Sequence, residues 1–103
     1  MGKVVKVANL SDIPVGTGRA VTAEGHALAL FNVNGQVHAI DGTCTHRGGP
    51  LGEGQLQDGV VTCPWHGARF DVATGKVLGP PAPRPVAVHR VVVEEGAIKV
   101  ELP

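Results

Sequence analysis

Short valine-rich runs, cut by Gly or Pro about every ten positions, set the pattern of the chain, and no stretch of helical length repeats at 3.6 residues. Runs of this length and composition are strands, so the pattern predicts an all-β fold. Lys3 to Ala8, Arg19 to Ala23, Ala27 to Val33 and Gln36 to Asp41 form a first group. The last two are joined by Asn34-Gly35, the dipeptide that best accepts the two positive φ angles of a type I′ hairpin. Gln55 to Gln57 and Val60 to Thr62 flank Asp58-Gly59, and Arg69 to Asp71 and Lys76 to Leu78 flank Ala73-Thr74-Gly75, which predicts two shorter hairpins. Val86 to Glu94 and Ala97 to Glu101 close the chain across Glu95-Gly96.

Between these groups lies Gly79-Pro80-Pro81-Ala82-Pro83-Arg84-Pro85, whose prolines supply no ladder donors and predict an extended loop. The stretch from Gly42 to Pro85 reads as a loop-rich insertion in a β framework made by residues 1–41 and 86–103. At 103 residues the chain has room for one domain and one modest core.

Charge removes some functions. Nine Lys and Arg balance nine Asp and Glu, which argues against a surface that reads nucleic-acid phosphates. The longest uncharged apolar run, Ala27 to Phe31, is far below the roughly 18 residues of a membrane-spanning helix. Met1-Gly2-Lys3-Val4-Val5-Lys6 has no apolar signal core, and Lys6 stands where a myristoylation signal needs Ser or Thr, so a cytoplasmic protein is expected. In that compartment two cysteines are better metal ligands than a disulfide. Gly16-Thr17-Gly18 opens like a dinucleotide fingerprint, but Val21 replaces the third glycine and no helix follows, which leaves a turn.

The residues that carry chemistry are Cys44-Thr45-His46 and Cys63-Pro64-Trp65-His66, a C-x-H and a C-x-x-H separated by sixteen residues. Each lies in Gly- or Pro-rich chain: Arg47-Gly48-Gly49-Pro50 follows the first pair and Gly67 the second. Such loops turn tightly and present backbone N–H groups, which suits an anionic cofactor. A zinc site could use the same four residues, but zinc-finger spacings group like ligands together, whereas here each loop offers one thiol and one imidazole. His26, His38 and His89 fall in strand patterns outside the motif and read as structural or surface residues.

The two motifs and the proline loop resemble the Rieske iron-sulfur family over most of the chain. The resemblance implies an antiparallel β-sandwich or barrel with a cluster-binding subdomain, here residues 42–85, inserted between strands of one Rieske domain spanning 1–103. It also implies one [2Fe-2S] cluster, with Cys44 and Cys63 on the inner iron and His46 and His66 on the outer. Two ferric ions, two sulfides, two thiolates and two neutral imidazoles sum to zero charge, so such a cluster accepts an electron more readily than an all-thiolate one.

The respiratory branch of that family has an extra disulfide cysteine in each loop and Ser and Tyr hydroxyls beside the cluster. The corresponding positions here are Gly49, Trp65, Ala68 and Phe70. The chain is therefore similar to the low-potential, ferredoxin-type branch. That likeness implies a soluble monomeric one-electron carrier, not itself an enzyme, between a flavoprotein ferredoxin reductase and a terminal Rieske non-haem iron oxygenase. Family ferredoxins are often acidic, and this neutral chain departs from them, which removes an argument for electrostatic steering. A small electron-entry or regulatory subunit of a larger oxidoreductase, like the nitrite reductase small subunit, and a zinc-stabilised binding module stay open as alternatives.

Overall fold

The computed structural model describes residues 3–45, 48–65, 67–79 and 84–102. The strands, in chain order, are β1 (Lys3–Asn9), β2 (Gly18–Ala23), β3 (His26–Val33), β4 (Gln36–Asp41), β5 (Gln55–Gln57), β6 (Val60–Thr62), β7 (Arg69–Asp71), β8 (Val77–Gly79), β9 (Val88–His89), β10 (Val91–Glu94) and β11 (Ala97–Leu102). Two single 3-10 turns, η1 (Leu10–Asp12) and η2 (Leu51–Glu53), interrupt them. No helix among the described residues is long and apolar enough to cross a membrane.

The strands form three antiparallel sheets, in the orders β1-β11-β10, β2-β3-β4-β9 and β5-β6-β7-β8. Asn34 (φ 53°) and Gly35 (φ 92°) both take positive φ, as a type I′ turn requires. Glu24-Gly25, Asp58-Gly59 and Glu95-Gly96 repeat that conformation, and each joins neighbouring strands of one sheet.

The middle sheet is covered on both faces, and β3 shows why its sequence is a continuous apolar run. Leu28 and Leu30 point into one core with Ile13, Val37, Ala39, Ile98, Val100 and Leu102. Ala29 and Phe31 point into a second with Ile40, Leu51, Val61, Phe70, Val72 and both cysteines. Phe31 and Phe70 are wholly buried, each contributing roughly 1.5–3 kcal/mol of apolar burial. Asn32 follows on the same strand as a buried polar residue. Its Nδ2 donates to the Ile13 carbonyl (2.8 Å) and its Oδ1 accepts from the Gly35 N–H (2.9 Å), so its burial costs little.

The structure corrects the reading of Val86 to Glu94 as one strand. The chain pairs with β4 as far as His89, then crosses to the other sheet and pairs with β11 from Val91 onward. The switch at Arg90 joins two packed sheets at a corner, and neither Gly nor Pro marks it. At the second of the short hairpins, β8 begins at Val77 rather than Lys76, and the Asp71 carboxylate caps the Ala73 and Thr74 N–H groups in a side-chain turn. The extended loop expected for Gly79 to Pro85 lies, from Pro80 to Pro83, outside the described residues.

Candidate metal centre

Each cysteine stands on its own backbone finger. The first connects β4 to η2 and is closed by its own hydrogen bonds. Leu51 N–H donates to the Gly42 carbonyl (2.9 Å), Thr43 and Pro50 form an isolated bridge, and Cys44 N–H donates to the Gly49 carbonyl (2.8 Å). Gly48 N–H then returns to the Cys44 carbonyl (2.8 Å), which tightens the tip behind the thiol. The second finger is the β6–β7 hairpin carried one step further: above the Thr62↔Arg69 pair, Cys63 N–H donates to the Ala68 carbonyl (2.7 Å).

The fingers meet. Cys44 and Cys63 are both buried thiols in one apolar cluster, and the Cys44 side chain acts directly on that of Cys63. Burial pushes the Cys63 thiol above its usual range, a hydrogen bond with the Trp65 backbone pulls it back, and the Cys44 side chain raises it further. Between the fingers stands Gly49, whose absent side chain the packing demands: a Cβ there would lie 2.6 Å from Cys63 Sγ and 3.2 Å from Trp65 Cβ. Trp65 is half exposed at the rim, whereas Ala68 and Phe70 are wholly buried beneath the thiols.

This arrangement fits an iron-sulfur group. Two soft sulfur donors converge from separate loops in a buried apolar cluster, and a bound cation would stabilise the Cys63 thiolate that burial and the Cys44 side chain disfavour. His46 and His66, the other two expected ligands, and Arg47 lie outside the described residues. Among the described residues no group of three or more His, Cys, Asp or Glu could hold a metal ion, so the pair of thiols is the part of the site in view.

The remaining histidines are on strands, as their pattern implied: His26 begins β3, His38 lies on β4 and His89 on β9. His89 is more than a surface residue, since its Nε2 lies 2.9 Å from Asp41 Oδ1. Neither this pair nor the contact of Gly49 with Cys63 followed from the motifs. The run Gly48-Gly49-Pro50 was the available signal for the second, because consecutive glycines beside a thiol point to close backbone approach.

Comparison with known proteins gives a consistent picture. The Rieske [2Fe-2S] domain family matches residues 3–90. The ferredoxin component of the naphthalene 1,2-dioxygenase system of Pseudomonas putida is 37% identical over 97% of this chain and 96% of its own length. Ferredoxin CarAc of Metapseudomonas resinovorans is 41% identical over 93% of this chain and 91% of its own length. Among solved structures, the ferredoxin of carbazole 1,9a-dioxygenase from Nocardioides aromaticivorans IC177 superposes with a TM-score of 0.90 at 30% identity, covering 98% of both chains. A chain in the complex of reduced oxygenase and oxidized ferredoxin in carbazole 1,9a-dioxygenase gives 0.89 at 39% identity, covering 95% of this chain and 92% of that one.

Proposed function

Because the chain belongs to the Rieske [2Fe-2S] domain family, we propose that it carries one electron at a time on a single [2Fe-2S] cluster, from a flavoprotein ferredoxin reductase to a terminal Rieske non-haem iron oxygenase. The ligands in this reading are Cys44 and Cys63 on one iron and His46 and His66 on the other. The observation that carries it is the meeting of the Cys44 and Cys63 thiols from two separate fingers around Gly49. When bound, the cluster supplies a site that takes up and returns one electron.

The chain's own residues do the rest. Cys44 and Cys63 exclude water by their burial and offer two sulfurs whose separation is set by backbone bonds at Gly49 and Ala68. Imidazole ligands at His46 and His66 would each keep a second ring nitrogen able to hold a proton or to hydrogen-bond a partner. Trp65, half exposed on the second finger, provides apolar surface for a small, transient contact.

Residues 42–85 serve as the cluster-binding part and residues 1–41 and 86–103 as the framework, a division supported by the separate β5–β8 sheet. The protein works as a cytoplasmic monomer, where thiols stay reduced until metal reaches them, and bond chemistry is left to the oxygenase. The chain also superposes, at 22% identity and a TM-score of 0.82, on a putative nitrite reductase NADPH small subunit, which shows a shared fold alone.

Freshly purified protein tests the reading. About two irons and two acid-labile sulfides per chain are expected, with charge-transfer absorption, a paramagnetic signal on one-electron reduction, and reoxidation on adding an oxygenase. A colourless protein holding one zinc would replace the carrier with a zinc-stabilised module, and a cluster that co-purifies only within a large subunit would make it a fixed electron-entry subunit.

A further inference from the structure

The first finger is fastened at its root by a side-chain pair that the ligand motifs do not contain. Asp41 ends β4, three residues before Cys44. Its Oδ1 lies 2.9 Å from His89 Nε2, and its Oδ2 accepts the Ala87 N–H at 3.3 Å. Its own backbone N–H donates to the Ala87 carbonyl at 2.9 Å. An ionised carboxylate only accepts, so His89 is the donor in this pair. The His89 side chain is 9% exposed and that of Asp41 44%, so the bond is sheltered from one side and screened by solvent from the other.

These bonds matter because the ladder that joins this segment to β4 is short. The β4–β9 ladder is two residue pairs long, Ala39↔His89 and Ile40↔Val88, after which the chain leaves for the other sheet. The segment from Arg84 to His89 also touches the finger's tip and the third sheet. Thr45 Oγ1 donates to the Arg84 carbonyl (2.6 Å), and Val86 N–H donates to the Gly75 carbonyl (3.0 Å). A strap thus runs from tip to root of the finger, and Asp41 is its fastening. On the opposite side the root is held independently, by Gly42 N–H on the Ala27 carbonyl (2.9 Å).

We propose that Asp41 and His89 are a positioning pair, which clasps the Cys44 finger to the Arg84–His89 strap and so sets the geometry in which Cys44 holds its cofactor. The inference rests on the reading of Cys44 as a cluster ligand. Because the Gly42–Ala27 bond stays in place when the clasp is cut, single variants are expected to fold and load.

The test uses the loaded protein with Asp41→Ala, His89→Leu and His89→Gln. Asp41→Ala and His89→Leu should load iron and sulfide as the unaltered chain does, yet release iron to a chelator about tenfold faster, the scale of one lost hydrogen bond to a charged group. They should also shift the g values of the reduced state. His89→Gln keeps a donor of similar reach and should restore both readouts. The Asp41→Ala, His89→Leu double variant should be no worse than Asp41→Ala alone, since that change already cuts the bond to His89 along with the one to Ala87. Unchanged release and g values in both single variants, failure of His89→Gln to rescue, or additive effects in the double variant would overturn the proposal.

Amide hydrogen exchange at Ala87 and Cys44 in the metal-free chain separates the two readings. Both amides should exchange faster in Asp41→Ala, and equal exchange there would sink the clasp even if the cluster assignment stood. Absence of iron from the unaltered chain would sink the cluster assignment, and the same exchange rates would then decide the clasp.

Discussion

Gly49 leaves no room for a side chain beside Cys63: a Cβ on it would come within 2.6 Å of the Cys63 sulfur. Gly49→Ala must therefore push the two fingers apart, an overpacking of the kind that costs about 1–3 kcal/mol. The expected result is a folded chain with substoichiometric iron and a lowered thermal midpoint. Full loading with an unchanged midpoint would mean that the finger yields without cost.

Cys44→Ser and Cys63→Ser each remove a thiolate that no other cysteine can replace, since the sequence holds only two. Iron and sulfide content should collapse in both. His46→Cys and His66→Cys would instead keep a ligand while adding negative charge, and should lower the reduction potential if those histidines are ligands. Metal analysis and voltammetry check the set.

The metal-free chain should lose stability as pH rises. Burial is the leading cause that pushes the Cys63 thiol up, so the folded chain keeps its proton where an unfolded thiol, near about 8.5, has lost it. The unfolded state then binds fewer protons, and the slope of stability against pH is negative. The contribution is complete below the unfolded value and is lost as pH climbs through the folded one. Urea midpoints of the metal-free chain should fall as pH climbs above about 8.5, and Cys63→Ala should flatten that fall. A midpoint that rises over the window contradicts the assignment.

Ala68 and Phe70 sit wholly buried in the core that holds both cysteines, and neither carries a donor. Rieske potentials span about −150 to +300 mV, with hydrogen bonds to the sulfurs among the determinants. This chain should lie near the bottom of that span. Ala68→Ser with Phe70→Tyr should raise the potential, because each hydroxyl stabilises the added negative charge. The same hydroxyls should cost stability in the metal-free chain, where they lack that partner. Voltammetry showing no rise would leave the backbone N–H groups as the controlling donors.

Trp65 is half exposed at the finger rim, so Trp65→Ala should leave metal content and spectrum intact while slowing electron delivery to an oxygenase. Stopped-flow reoxidation measures it, and an unchanged rate would move the docking face elsewhere.

The turns and the doubly buried strand were the legible parts of the fold. Asn34-Gly35 and Asp58-Gly59 accept positive φ at low cost, so their hairpins were visible in the sequence. Glu24-Gly25 makes the same turn without the Asn or Asp that best accepts positive φ, and, as at Glu95-Gly96, only its place between two apolar runs points to it. The sheet switch at Arg90 carries no local signal at all, being decided by which edge, β4 or β11, the chain can reach. At the site, the spacing of the two motifs pointed to Cys44 and Cys63 as partners from separate loops, and the structure brings them together; His46 and His66 lie outside the described residues. The Asp41–His89 bond spans 48 residues and joins types that are usually solvated, so only the three-dimensional register brings it out.

Residue parity along β3 divides its influence. Positions 28 and 30 face the framework core, and positions 29 and 31 face the core that shelters the thiols. A designer therefore has a one-sided dial on this strand. Volume changes at Leu28 and Leu30 adjust heat resistance away from the sulfurs, whereas changes at Ala29 and Phe31 alter stability and the dielectric surroundings of the sulfurs together. Selection acting on a natural population meets the same asymmetry: durability can drift without touching redox tuning, but tuning through this strand carries a cost in durability.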